Sequence, residues 1–166
     1  MNKELIDRCL DFAEGKKGKF TILMAKKPNF PGSLIEGTHK QKEIVAYVND
    51  GLSTRKIAEI MGCSHVNIVN HLRQYKNGVA FYADWCEFWE FAADVRQIPI
   101  SVAFDGLISK DELRTFKRRN INTVGDFINM TVTLSITQIY RNLPYFHAES
   151  KGRLFGRIKE MCYELL

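Results

Sequence analysis

Apolar residues recur at helical spacing along most of the chain, and the strict alternation that marks a half-buried strand is nearly missing. Leu5, Ile6, Cys9, Leu10, Phe12 and Ala13 make one stripe and predict a helix over Lys3–Glu14, broken by the Gly15-Lys-Lys-Gly-Lys19 run. Ile44, Val45, Tyr47 and Val48 give His39–Asn49 an apolar side. Asp50-Gly51 ends that helix, because glycine tolerates the left-handed conformation found at helix C-termini. Two short helices follow, capped by Ser53 and Ser64, with Ile57, Met61, Ile68 and Leu72 facing inward. Phe81, Trp85, Phe88, Trp89 and Ala92 then fall at i, i+4, i+7, i+8 and i+11, one face of a helix over residues 79–96. Asp84, Glu87, Glu90 and Asp94 occupy its other face.

The pattern weakens twice. Residues 20–25 read either as a short strand or as an extended arm, and residues 26–38, with Pro28, Pro31, Gly32 and Gly37, as a loop or linker. Residues 97–105 hold Pro99 and alternating Ile98, Ile100 and Val102, which suits a connector or a short strand. After them, Ser109 and Glu112 have the spacing of a capping box. Asn120-Ile-Asn122 interrupts the helix so begun, and Thr123 opens another. Residues 134–141 predict a short helix stopped by Pro144, and Ser150 the cap of a last one. The fold class expected is mainly α. It divides into an N-terminal helix with a basic arm (1–38), a three-helix unit (39–78), an aromatic helix with connector (79–105) and a C-terminal helical module (106–166).

Hydrophobic residues make up 45% of the 166, which excludes disorder throughout. The net charge of +5 suits a nucleic-acid partner, and its distribution says more. Residues 1–38 carry +2, 39–78 carry +3, 79–105 carry −4 and 106–166 carry +4. Cys9, Cys63, Cys86 and Cys162 show no CxxC spacing and no secretory signal precedes them, so a reduced, cytoplasmic protein is expected. Cys63, His65 and His71 lack a fourth ligand at suitable spacing, so no metal and no cofactor is expected. No apolar run approaches the ~20 residues of a membrane span. No catalytic constellation stands out, which argues against an enzyme.

The densest signal is residues 53–75, STRKIAEIMGCSHVNIVNHLRQY. Ala58 is small where two helices would cross, and Gly62 can take the positive φ of a tight turn. The stretch IAEIMGCSHVNIVNHL resembles the helix-turn-helix of the homeodomain-like and resolvase/invertase families, where IAExxGxSxxTVxxxL is common. The serine nucleophile domain of a resolvase is absent, so recombination chemistry is not implied. The resemblance implies that the helix over residues 64–75 enters the major groove of double-stranded DNA. His65, Val66, Asn67, Val69, Asn70 and Gln74 would then face bases, the asparagines suiting adenine edges and the valines thymine methyls. Ser53, Arg55, Lys56, Ser64 and Arg73 would face phosphates. His71 reads as half-buried more readily than as a base reader. The lysines of residues 16–19 suit a DNA-tracking arm or a merely solvated cluster.

Residues 108–166 resemble the C-terminal domain of the RNA polymerase α subunit, a helical module with a helix-hairpin-helix. Leu113, Phe116-Lys117, NINTVGDF at residues 120–127 and the last helix carry the likeness, against a family pattern close to GIxTVGDL. Ile121, Val124, Phe127 and Ile128 would be core, and Gly125 would permit close packing. Two departures count against a DNA contact. Asp111 stands where the family places an arginine, and the family's NLGxKS turn is replaced by Asn142-Leu143-Pro144 and a longer stretch without glycine. Lys117, Arg118 and Arg119 remain as a basic cluster. The module is therefore expected to fold alone from about Gly106 and to meet a protein, RNA polymerase for example, in preference to DNA. The aromatic face of Phe81, Trp85, Phe88 and Trp89 is open to two uses, the chain's own core or a homodimer interface. Together these readings give a sequence-specific transcription regulator of bacterial or phage type. The alternative is a protein-interaction module acting through the aromatic helix and the C-terminal segment.

Overall fold

The computed structural model describes residues 1–15, 39–134, 138, 139, 141, 143 and 146–166. Residues 16–38, 135–137, 140, 142, 144 and 145 lie outside them, so the expectations for the lysine run, the arm, the linker and most of the turn at Pro144 are not addressed. The described elements are helices α1 (Lys3–Glu14), α2 (His39–Asn49), α3 (Thr54–Met61) and α4 (His65–Phe91), then α5 (Ala93–Gln97) and α6 (Ile100–Ala103). α7 (Lys110–Arg118), α8 (Val124–Thr133) and α9 (Ala148–Tyr163) complete them. The chain is mainly α. Among the described residues no helix is long and apolar enough to cross a membrane.

Local chemistry sets the helix ends. Asn2 accepts the Leu5 N–H at 2.9 Å, and Ser53 and Ser64 accept those of Lys56 and Asn67, each at 3.2 Å. Ser109 with Glu112 and Thr123 with Asp126 form two-way capping boxes. The α3–α4 turn closes on Gly62 at φ 64°, a conformation costly for residues with a Cβ. α9 departs from expectation: it starts at Ala148 with His147 as its N-cap, and Ser150 lies inside the first turn.

The largest departure is α4. Separate helices were expected over residues 64–75 and 79–96, but α4 runs unbroken for 27 residues, roughly 40 Å, and ends at Phe91, with α5 beyond it. Gly78 costs a helix only about 1 kcal/mol. The aromatic face just beyond it buries far more than that. Phe81, Trp85, Phe88 and Trp89 are all buried within this chain, Trp85 and Phe88 completely. Phe12 from α1 lies against Phe81 and Trp85, with ring centroids 4.8 and 5.8 Å apart. In this fold the four side chains are spent on the chain's own core, with α1 packed along α4.

Two cores result, and α4 belongs to both. The smaller holds Ile44, Ile57, Ala58 and Ile68, with Tyr47, Leu52, Met61, Cys63 and Leu72 against them. The larger gathers Leu5, Ile6, Cys9, Leu10 and Ala13 of α1, the aromatic face of α4, and Phe104, Phe116, Phe127, Phe155 and Ile158. The expected boundary at 105/106 thus runs through one continuous core. Residues 97–105 are a connector that holds the one-turn α6 and no strand, since Ile100, Ala103 and Phe104 face inward at i, i+3 and i+4. A single antiparallel bridge, Pro99 with Thr123, ties this stretch to the start of α8. There Gly125 lets two backbones approach: a Cβ on it would lie 3.2 Å from the Arg96 carbonyl oxygen. Polar bonds join the first and last helices. Lys159 Nζ lies 2.7 Å from Asp11 and 3.4 Å from Asp7, the Tyr163 hydroxyl donates to Asp7, and Lys3 sits over the Tyr163 ring.

Candidate nucleic-acid interface

The first ten residues of α4 have two unlike faces. Ile68 is fully buried on the inner one, with Leu72 packed beside it against α2 and α3. On the outer face Val66 and Val69 stand in water, 65% and 39% exposed. Asn70 shares that face, half-buried, and Arg73 is exposed one turn on. The Arg73 guanidinium donates to Asn70 Oδ1. Val66 to Arg73 spans roughly 10 Å of helix axis, close to three base-pair steps of a duplex.

The other expected site residues fall into two groups. Arg55 is exposed, and so is Lys56, which pairs with Glu59 at 3.1 Å. Ser53 and Ser64 spend their hydroxyl oxygens on their own helix caps. His65 and Gln74 are tied to neighbouring helices. His65 Nε2 lies 2.8 Å from Thr54 Oγ1, and Gln74 Oε1 accepts a long bond, 3.5 Å, from Gln41 Nε2. Asn67 is half-buried, as is His71, whose Nδ1 is buried without a partner. Sequence reasoning missed Thr54, Gln41, Lys76 and Asn77. The last two are exposed and continue the outward stripe because α4 does not stop at Tyr75. Extending the 3.6-residue period past Tyr75 would have found them.

The α7–α8 hairpin has a different character. Asn120 turns the chain at φ 58° and Ile121 N–H bonds back to the Phe116 carbonyl at 2.9 Å. The Asp126 carboxylate accepts both the Asn122 and the Thr123 N–H at 3.0 Å, and Val124 N–H goes to the Ile98 carbonyl. Four consecutive backbone donors are thus engaged inside the chain. Asp111 is exposed and pairs with Arg114 at 3.2 Å, and Lys117, Arg118 and Arg119 are exposed beyond it.

All four thiols are free. Burial pushes Cys9 and Cys162 up to about 12, which keeps both as inert thiols. Among the described residues no group of three or more His, Cys, Asp or Glu is arranged to hold a metal. The chain matches no model of a known protein family, no curated protein and no solved structure.

Proposed function

We propose that the chain is a sequence-specific binder of double-stranded DNA, and through that binding a transcription regulator, with the start of α4 in the major groove. One observation carries this reading. Val66 and Val69 stay exposed on a capped helix whose opposite face is fully packed, with Asn70 and Arg73 on the same stripe. Apolar side chains held in water beside an amide and a guanidinium suit a groove that offers thymine methyls, base-edge acceptors and phosphates together. Arg55, Lys56 and Lys76 add exposed positive charge to this unit. A groove-reading helix built from a three-helix unit is also what the helix-turn-helix resemblance implies. The test is selection from a random duplex library, followed by titration of the selected and a scrambled duplex at several salt concentrations. A preference of at least tenfold, weakening with salt, is expected. Equal, salt-insensitive binding to both duplexes would remove the reading.

A second reading concerns the larger core, as a protein-contacting part with RNA polymerase as the partner its resemblance implies. The Asp126 carboxylate supports it. Bonded to Asn122 and Thr123 N–H, it places a negative charge at the hairpin turn and takes the donors a phosphate would need. Titration of the full chain with polymerase in the absence of DNA tests this.

A further inference from the structure

We propose that His65 and Gln74 do not read bases but hold the reading helix in place, through Thr54 and Gln41, leaving sequence discrimination to Val66, Asn67, Val69 and Asn70. The inference rests on the major-groove reading above and divides its residues into two roles. Thr54 is the first residue of α3 and His65 the first of α4. Their side chains meet at 2.8 Å through Nε2, the ring nitrogen farthest from the backbone. That is the atom a histidine must extend to reach a base edge, and here it is already bonded within the protein. Nδ1 remains, but it lies one ring position from the Cβ and has the shorter reach.

Gln74 repeats the arrangement one helix away. Its Oε1 takes a bond from Gln41, a buried residue of α2, at 3.5 Å. That bond draws the Gln74 amide toward α2, and a paired contact with an adenine would have to share Oε1 between Gln41 and the base. The segment from His65 to Gln74 is therefore tied near both ends, to α3 at one and to α2 at the other. Between the ties lie Val66, Asn67, Val69 and Asn70. The two valines make no polar commitment, and the bond that Asn70 Oδ1 accepts comes from Arg73, one turn along the same helix, so it ties α4 to no other helix. Ties of this kind fix the rotation of α4 on its support before DNA arrives, so less ordering remains for binding.

The roles separate by experiment. His65→Ala and Thr54→Val should each weaken binding to the selected duplex and to its single-base variants alike, by about fivefold, the size of one net hydrogen bond. Their base-preference profiles should match the wild type. The double variant should be no weaker than either single one, because both remove the same bond. Thr54→Ser, which keeps the hydroxyl, should restore wild-type affinity. Val69→Ala or Asn70→Ala should instead change the preference at one base pair. An altered preference in His65→Ala, or additive losses in the double variant, would overturn the assignment. The 15N resonances of the His65 ring in the free protein provide the arm that needs no DNA. They should shift in Thr54→Val and return in Thr54→Ser. An unshifted ring in Thr54→Val overturns the bridge alone, whereas a wild type without duplex preference overturns the major-groove reading and this division of roles with it.

Discussion

Single side chains carry separable duties. Asn70→Ala is expected to lose roughly 1–3 kcal/mol of discrimination at one base pair. Arg55→Ala should weaken every duplex equally and lower the salt slope by about one; anisotropy titrations across salt check both. Trp85 serves the fold. It is fully buried, with Phe12, Phe88 and Trp89 around it at centroid distances of 5.8, 5.5 and 5.9 Å. Trp85→Ala should therefore cost about 3–5 kcal/mol by denaturant unfolding. Asp7 gives the α1–α9 contact its acid dependence. Burial alone would raise its pKa, but the Tyr163 hydrogen bond and the Lys159 charge outweigh burial and hold it below the ordinary carboxylate value. A carboxyl depressed in the folded state stabilises above its unfolded pKa of about 3.9, and that share is lost as pH falls through the folded value. Tyr163→Phe should accordingly lower the melting temperature at pH 7, and the gap from wild type should close below about pH 4. At this scale the sequence was partly legible. Caps at Ser53, Ser64, Ser109 and Thr123 are visible in it because a cap involves residues three apart. The Thr54–His65 and Gln41–Gln74 ties are not, because they depend on how helices distant in sequence cross.

Helices were easier to locate than to end. The apolar stripes fixed where α1, α2 and α3 lie, since a 3.6-residue period survives any tertiary arrangement that buries one face, and the caps at Ser109 and Thr123 fixed where α7 and α8 begin. The boundary drawn after residue 78 does not show in the helix, because the burial that carries α4 across Gly78 lies in Phe81, Trp85 and Phe88 and is tertiary. Ile98, Ile100 and Val102 alternate as a strand would, and only Ala103 and Phe104, buried with Ile100, reveal the helical spacing of α6. The continuity of α4 has a direct test at Ala80, which is exposed in the stretch between the two cores. Ala80→Gly should cost about 1 kcal/mol. Ala80→Pro should cost about 3 kcal/mol or more and split the calorimetric transition in two, because the clash and the lost N–H sever the helix between the cores. A single sharp transition in Ala80→Pro would show that the cores hold together through something other than α4.

At the scale of the molecule the two cores are unequal, and the difference bears on how binding is regulated by stability. The larger draws on both ends of the chain. A fragment of residues 106–166 would lack Leu5, Ile6, Leu10, Trp85 and Phe88, all buried against it, so it should give no cooperative melt, contrary to the independence its sequence implied. The smaller core rests on four buried side chains and a few partly covered ones, near the lower limit of what holds a unit of about 40 residues. It is anchored chiefly by α4, which the larger core keeps helical. Native-state hydrogen exchange should therefore find α2 and α3 opening at lower free energy than α8 and α9. Saturating the protein with its selected duplex should change this unevenly. At a free duplex concentration 100 times Kd, amides of α2, α3 and the first turns of α4 should gain up to about 2.7 kcal/mol of protection, because on the proposed reading a duplex engages only the closed form of that unit. Amides of α8 and α9 that already open independently of the small core should keep their free-state values. Equal protection of all helices in the free protein would mean that the two cores unfold as one, with α4 transmitting stability across its exposed middle. The same gain at α9 as at α3 on adding duplex would place the larger core on the DNA as well, against the barrier that Asp126 sets at the hairpin.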